Sequence, residues 1–102
     1  MALSQTEIQG KLRGLPGWEL TKAKAMQKKF TFGNFKEALT FVNQVGELAE
    51  KSDHHPDITM NYNKVTLSLS THSAGGLTTK DFDLAGHIEK IGKTEENVKR
   101  EA

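Results

Sequence analysis

The fold is decided by the stretch from residue 34 to residue 51, which reads NFKEALTFVNQVGELAEK. Asn34 suits the N-cap of a helix, and Glu37 follows it three residues later. Apolar side chains then recur with the period of an α-helix at six positions: Phe35, Ala38, Leu39, Val42, Val45 and Ala49. The stretch therefore predicts a long central helix that ends at about Lys51 and turns one apolar face to the core.

Strand-like alternation lies on both sides of this helix. Before it, apolar and polar residues alternate through Met26, Phe30 and Phe32, and an earlier strand begins at Trp18-Glu19-Leu20. After it, two alternating runs flank a turn at Asn63-Lys64, and their apolar members are Ile58, Met60 and Tyr62, then Val65, Leu67 and Leu69. This pattern predicts two antiparallel strand pairs, one on each side of the central helix.

Two further helices are indicated by their start signals. Ser4 and Glu7 have the spacing of a capping box, in which each side chain bonds the other residue's backbone N–H. Thr78 and Asp81 have the same spacing ahead of a third helix, which Gly92 is expected to end. The Lys- and Glu-rich sequence after Gly92 forms either a helical extension or a frayed tail.

The predicted element order is α-β-β-α-β-β-α across residues 1–102, which we interpret as a single domain. This order predicts an α+β fold, in which a four-stranded antiparallel sheet has its helices packed on one face. The other face of the sheet is either open or paired with a partner. Ser73-Ala74-Gly75-Gly76 is expected to be a loop between the last strand and the third helix.

Composition and charge narrow the functional classes. The 14 basic and 13 acidic residues are interleaved and give a net charge of +1, so there is no basic stripe suited to nucleic acid. The chain has no cysteine, which excludes disulfides, thiolate catalysis and Cys-based metal sites. No apolar run approaches the roughly 20 residues of a membrane span, and no secretory signal core is found. A cytoplasmic location is therefore the default expectation.

Three of the four histidines stand at the ends of two predicted elements. His54 and His55 follow the central helix and precede Pro56, which stiffens the backbone there, while His72 follows the last strand. Imidazole both gives and accepts protons near neutral pH. The residues alone thus predict a cluster of titratable groups suited to acid–base catalysis.

The arrangement resembles the pterin-4a-carbinolamine dehydratase family over about residues 12–91. The family signature is an acidic or polar residue, a His-His-Pro segment, an aromatic residue, a further histidine and a later aspartate. In this chain it is matched in order by Glu50, His54-His55-Pro56, Tyr62, His72 and Asp81. The strings Tyr62-Asn63-Lys64-Val65 and Ser70-Thr71-His72 are also similar to the family.

The resemblance implies dehydration of a 4a-hydroxytetrahydropterin to the quinonoid dihydropterin, in tetrahydrobiopterin recycling, without a metal or an organic cofactor. One imidazole would protonate the leaving hydroxyl while another takes the N5 proton of the ring. The acid–base roles fall on His54 and His72, in either order, and His55 mainly holds the substrate. Residues implied to be catalytic are His54, His55, His72 and Asp81, and those implied to bind substrate are Asp53, His54, His55, Ser70, Thr71, His72 and Ser73.

Some residues have competing interpretations. The Asp81 carboxylate either caps the third helix or orients a neighbouring histidine, and one carboxylate can do both. Glu50 is interpreted as a solvated carboxylate at a helix end, Tyr62 as sheet packing and His87 as a surface residue. Ser73 stands where close animal relatives of the family carry an acidic residue, so no role that needs a charge is expected at that position.

Two rival functions are weighed against dehydration. A metal site built from the histidines with Asp53 or Asp81 is disfavoured, because adjacent histidines seldom bind one ion and the helical i, i+4 pair is absent. A non-catalytic dimerisation module is the second rival, since animal members of the family also act as dimerisation partners of a homeodomain transcription factor. The resemblance implies a homodimer or homotetramer with a small-molecule pterin substrate, and no direct nucleic-acid or membrane partner is expected.

Overall fold

The computed structural model describes the backbone of residues 2–101 and the side chains of residues 2–92. The helices are α1 (Gln5–Leu12), α2 (Phe35–Ser52) and α3 (Thr79–Glu101). The strands are β1 (Glu19–Leu20), β2 (Met26–Thr31), β3 (Asp57–Asn61) and β4 (Lys64–Leu69), and a short 3-10 helix at His72–Ala74 lies between β4 and α3. The predicted α-β-β-α-β-β-α order is confirmed.

The four strands form one antiparallel sheet in the order β1-β2-β4-β3. Phe30 of β2 and Met60 of β3 both pair with Val65 of β4. Residues that pair directly point to the same face of a sheet, so these apolar side chains lie together on the face that the helices cover. Gln27 and Lys29 alternate with them and are exposed on the opposite face. The predicted α+β architecture, with helices on one face of an antiparallel sheet, is confirmed.

The centre of the core is Phe41 of α2, which is completely buried. Its ring centroid lies 4.8 Å from that of Phe30 and 4.9 Å from that of Phe32, and both pairs are tilted. Aromatic rings at this separation attract each other beyond the effect of burial alone. Because Val45 and Val65 are also completely buried, α2 is held over the middle of the sheet.

The N-cap of α2 is as predicted, but its buried face is rotated. The Asn34 side chain accepts the Glu37 N–H at 2.9 Å. The buried residues of the helix are Ala38, Phe41, Val45 and Ala49. Phe35 and Leu39, which were expected in the core, expose 49% and 40% of their surfaces. At about 100° of rotation per residue they lie on one flank of the buried line, so the apolar arc is wider than the part that reaches the sheet.

Gly92 does not end α3, contrary to the prediction. The helix continues to Glu101, so the backbone of the Lys- and Glu-rich sequence is the helical extension, and its side chains lie outside the described residues. A Cβ atom at Gly92 would come within 3.3 Å of the Phe30 ring, so glycine here allows α3 to approach the sheet closely. Neither α3 nor any other helix in the described part of the chain is long and apolar enough to cross a membrane.

The β3–β4 hairpin turns one residue earlier than predicted. Asn61 pairs with Lys64, so the turn consists of Tyr62 and Asn63. The predicted packing of Tyr62 on the sheet is wrong, because this residue has a φ of 55° and is 63% exposed. Asn63 ties the turn to the end of β2, since its Nδ2 donates to the Phe32 carbonyl oxygen at 2.8 Å.

A partly buried ion pair fixes α3 to the covered face of the sheet. The Lys28 ammonium lies 2.7 Å from the Glu89 carboxylate and donates to the Pro16 carbonyl oxygen at 3.0 Å. The Trp18 indole N–H donates to the same carboxylate oxygen of Glu89 at 3.0 Å. Because the carboxylate has two donors, the loop before β1 and the strand β2 are both linked to α3.

The capping box at the start of α1 is confirmed. The Ser4 N–H donates to the Glu7 carboxylate at 2.9 Å, and the Glu7 N–H donates to the Ser4 hydroxyl oxygen at 3.2 Å. The bond from the Ser4 backbone lowers the pKa of Glu7 below its ordinary value of 4.5. The ionised carboxylate is therefore the form that stabilises the helix start.

This pKa shift predicts a pH-dependent contribution to stability. A depressed pKa in the folded state means that the contribution is complete above about pH 4.5 and is lost as the pH falls through the lower folded value. We expect the difference in melting temperature between the wild-type protein and Glu7→Ala to narrow as the pH is lowered from about 7 to about 3.5. A difference that is the same at both pH values would contradict this.

Substitution of Phe41 tests the position of the core. Phe41→Ala leaves a cavity between α2 and the sheet and should lower the free energy of unfolding by about 4 kcal/mol in urea denaturation. Asn43→Ala, on the exposed side of the same helix, is the control and should change it by less than about 0.5 kcal/mol. Equal effects of the two substitutions would contradict the packing described here.

Candidate active site

The end of α2 fixes where the His-His segment begins. Asp53 has the left-handed conformation, with φ 50° and ψ 41°. The His54 N–H donates back to the Ala49 carbonyl oxygen at 3.2 Å, and the Asp53 N–H donates to that of Glu50 at 3.3 Å. This is the Schellman pattern of helix termination, with aspartate at the position where glycine is commonest. The backbone of His54 is therefore bonded directly to the last turn of α2.

The imidazole of His54 is held by the carboxylate of Asp81. Nε2 of His54 lies 2.6 Å from Oδ1 of Asp81. The Asp81 side chain is completely buried, and 13% of the His54 side chain is exposed. Because a carboxylate can only accept, Nε2 carries the proton of this bond, and Nδ1 is the ring nitrogen that remains for a substrate.

The other oxygen of Asp81 accepts two hydrogen bonds. Oδ2 accepts the Thr78 N–H at 2.9 Å and the Thr71 hydroxyl at 2.8 Å. The bond from Thr78 is the helix-cap contact that the spacing predicted. Only this half of the capping box is formed, because the Thr78 hydroxyl lies 2.8 Å from the Thr71 hydroxyl instead. Asp81 thus both caps α3 and holds His54.

His55 has a different carboxylate partner. Its Nε2 lies 2.5 Å from Oε2 of Glu50, which is in the last turn of α2. The side chains are 55% and 78% exposed, so the pair contributes little to stability. Glu50 is a solvated carboxylate at a helix end, as interpreted from the sequence, but it also orients the ring of His55.

His72 begins the 3-10 helix at His72–Ala74, so the predicted loop is partly helical. Its side chain is exposed, whereas Thr71 before it is buried. Thr71 forms an isolated bridge with Gly76, in which its N–H donates to the Gly76 carbonyl oxygen at 3.0 Å. The segment that carries His72 therefore forms a short loop whose first and last residues, Thr71 and Gly76, are bonded to each other.

Within residues 2–92, no hydrogen bond joins His72 to His54 or His55. The link between the two segments runs through the buried neighbour of His72, because Thr71 bonds Asp81 and Asp81 bonds His54. The structure therefore brings His54, Asp81 and Thr71 into direct contact and places His72 one residue away from this group.

The other predicted site residues lie at the same two element ends. Asp53 and Ser73 are exposed, and Ser70 is half-buried just after β4. In the part of the chain that the structure describes, no three His, Cys, Asp or Glu side chains are placed to hold a metal ion together.

Two grooves share the side chain of Lys80. The threonine groove, about 360 Å³ in volume, is lined in part by Thr71 and Ser73. The histidine groove, about 200 Å³, is lined in part by His54 and Asp83. Lys80 was not identified from the sequence, because an exposed lysine in the first turn of a helix has no distinguishing pattern. Its position beside both grooves is seen only in the structure.

These features define a small α+β protein in which a histidine and a buried carboxylate lie together where a helix end, a strand end and a helix start meet. The family model described as Pterin 4 alpha carbinolamine dehydratase matches residues 1–91. The chain therefore belongs to the pterin-4a-carbinolamine dehydratase family, as its residues predicted.

Relatives from distant organisms match most of the chain. A protein of Picosynechococcus sp. is 54% identical over 89 residues, which cover 87% of this chain and 96% of the relative. A protein of Sulfolobus acidocaldarius is 46% identical over 91 residues, which cover 89% and 99% of the two chains. Both relatives are assigned as pterin-4-alpha-carbinolamine dehydratases by name only.

Two solved structures share the fold. One, described as a transcriptional coactivator/pterin dehydratase from Brucella melitensis, has a TM-score of 0.87 and 35% identity, and the match covers 90% of this chain and 99% of the other. The second is a pterin dehydratase-like protein described as a RuBisCO assembly factor in the alpha-carboxysome. It has a TM-score of 0.65 and 19% identity over 74% of this chain and 89% of its own, so it shows the fold alone.

Removal of the Asp81 carboxylate should destabilise the fold. Asp81→Ala leaves three donors without a partner, the His54 Nε2–H, the Thr71 hydroxyl and the Thr78 N–H, and should cost about 3 kcal/mol in the free energy of unfolding. Asp83→Ala removes an exposed carboxylate two residues along the same helix and should cost less than about 0.5 kcal/mol. Urea denaturation measures both values, and a small cost for Asp81→Ala would show that its bonds contribute little.

Proposed function

We propose that the protein dehydrates 4a-hydroxytetrahydropterin to the quinonoid dihydropterin. The observation that carries the proposal is the buried Asp81 carboxylate 2.6 Å from His54 Nε2, in a chain that belongs to the pterin-4a-carbinolamine dehydratase family. A histidine oriented by a buried carboxylate is a recurrent form of general base. Family membership supports the identity of the substrate.

The reaction is a balanced elimination of water. The C4a–O bond breaks, and the oxygen leaves as water after it receives a proton. The N5–H bond breaks as its proton passes to a base, and that electron pair forms the N5=C4a double bond. Since only protons are transferred and no electron is gained or lost overall, the proposed mechanism needs no redox cofactor, and two imidazoles can carry out both proton transfers.

His54 is proposed as the base. Its Nε2 proton is committed to Asp81, so the lone pair that can accept the N5 proton is on Nδ1. Protonation of Nδ1 creates an imidazolium whose charge is offset by the Asp81 carboxylate. His72 is then proposed as the acid that protonates the leaving hydroxyl, because it is exposed on the neighbouring segment.

The remaining roles concern substrate binding. His55, oriented by Glu50, is proposed to hold the pterin. The proposed polar contacts to the ring come from Asp53, Ser70 and Ser73, which lie at the two element ends. We also propose that the protein acts in tetrahydrobiopterin recycling in the cytoplasm as a homodimer or homotetramer, which light scattering after size-exclusion chromatography would distinguish from a monomer.

Stopped-flow spectroscopy with chemically generated 4a-hydroxytetrahydropterin tests the catalytic claim. We expect the wild-type protein to accelerate loss of this compound, and we expect His54→Ala and His72→Ala each to lose about 100-fold or more in rate. Both variants should keep the wild-type circular dichroism spectrum. Asn43→Ala, on the exposed side of α2, is the control and should retain full activity.

Different results would contradict the dehydratase activity and the assignment of His54 and His72. If the wild-type protein gives no acceleration over the spontaneous rate, dehydration is wrong, and the non-catalytic interaction module becomes the better account. The similar structure from Brucella melitensis, described as a transcriptional coactivator/pterin dehydratase, supports this second candidate. If the two histidine variants remain fully active, the assignment of His54 and His72 is wrong.

A further inference from the structure

Thr71 has almost no hydrogen-bonding capacity left for a substrate. Only 9% of its surface is exposed. Its hydroxyl donates to Asp81 at 2.8 Å, its N–H donates to the Gly76 carbonyl oxygen at 3.0 Å, and its carbonyl oxygen accepts the Ala74 N–H at 3.0 Å. The Thr71 side chain faces the carboxylate from inside the protein, so its hydroxyl hydrogen is used within the protein.

The direction of the hydrogen bond between the Thr71 and Thr78 hydroxyls follows from the single hydrogen that each hydroxyl carries. A threonine hydroxyl has one hydrogen, and that of Thr71 is committed to Asp81. The 2.8 Å contact between the Thr71 and Thr78 hydroxyl oxygens must therefore use the hydrogen of Thr78. The bonds run in one direction, from the Thr78 hydroxyl to the Thr71 hydroxyl and from there to the Asp81 carboxylate.

Helix capping does not explain this chain of hydroxyls. In a capping box the hydroxyl of the first residue accepts the backbone N–H of the residue three positions later. Here the Asp81 N–H reaches the Thr78 carbonyl oxygen at 3.1 Å, and the Thr78 hydroxyl turns towards Thr71. The Thr78 hydroxyl therefore bonds Thr71, the residue that bonds Asp81, instead of capping the helix.

We propose that Thr78 and Thr71 are positioning residues that act through Asp81 to keep His54 in its Nε2-protonated tautomer. The Thr71 hydroxyl and the Thr78 N–H bond Oδ2, and the Thr78 hydroxyl bonds the Thr71 hydroxyl, which leaves Oδ1 directed at His54 as an acceptor. The lone pair of His54 then stays on Nδ1, where the base needs it. The inference rests on the proposed function for its catalytic consequence, but its effect on the tautomer is independent of it.

Other titratable groups line the same groove as His54 and must be left unchanged in a test. The histidine groove also presents Lys80, Asp83 and His87 from α3. Each of them can alter the pH response of His54, so a pH–rate profile alone does not isolate the hydroxyls. The nitrogen-15 chemical shifts of the His54 ring report the tautomer directly and are the primary readout.

The experiment compares the wild-type protein with Thr78→Val and Thr78→Ser, each labelled with nitrogen-15 at histidine. We expect Thr78→Val to lower the fraction of Nε2-protonated His54 and to reduce kcat by about threefold to tenfold with KM unchanged. Thr78→Ser restores the hydroxyl and should restore both values. Thr71→Val removes the bond to Asp81 itself, so it should reduce kcat by about tenfold or more. Thr40→Val, whose hydroxyl bonds only within α2, is the matched control.

The outcomes separate the two claims. If Thr78→Val and Thr71→Val fold but leave the His54 tautomer and kcat at wild-type values, the positioning role is overturned. If the wild-type protein has no dehydratase activity, the proposed function fails, while the shift of tautomer still decides whether the hydroxyls set His54. If Thr78→Val does not fold, Thr78→Ala removes the hydroxyl without adding bulk and gives the same readout, with the same result overturning the inference.

Discussion

Burial of the Asp81 carboxylate is the constraint on which the rest of the site depends. A carboxylate without solvent is tolerated only when hydrogen-bond donors surround it. Its donors come from three parts of the chain: the end of α2, the segment after β4 and the start of α3. A single side chain therefore fixes the relative position of the three elements, and His54 takes its orientation from the same bond.

The packing of the helices on the sheet sets the positions of the three parts of the chain that bond Asp81. Phe41 packs against Phe30 and Phe32 and sets the distance of α2 from the sheet. The ion pair between Lys28 and Glu89 holds α3 on the same face. The packing of the apolar core therefore determines where the end of α2, the segment after β4 and the start of α3 lie. The buried carboxylate of Asp81 then joins these three parts of the chain by hydrogen bonds.

Local patterns explain what could be predicted from the sequence. The N-cap at Asn34 and the capping box at Ser4 depend on residues three positions apart, so their chemistry is visible in the sequence itself. The order of elements followed from apolar periodicity in the same way. The buried face of α2 was misplaced at Phe35 and Leu39, because the angle at which a helix meets a sheet depends on residues distant in the chain.

The candidate site residues could be named from the sequence, but the hydrogen bonds between them could not. Asp81 was recognised as a cap from its spacing to Thr78, and as a histidine partner from the family resemblance. The bond from the Thr71 hydroxyl to Asp81 was not foreseen, since the two residues lie ten positions apart on different elements. No local pattern reveals that bond, nor the exposure of Tyr62, which results from a turn one residue earlier than the alternation suggested.

The central claim is that His54, held by Asp81, removes the N5 proton of a pterin. A crystal structure of the protein with a stable dihydropterin tests it most directly. The account predicts that the N5 edge of the ring lies within about 3.5 Å of His54 Nδ1 while Nε2 remains bonded to Asp81. A pterin bound out of reach of His54, or a His54 ring turned away from Asp81 in the complex, would contradict it.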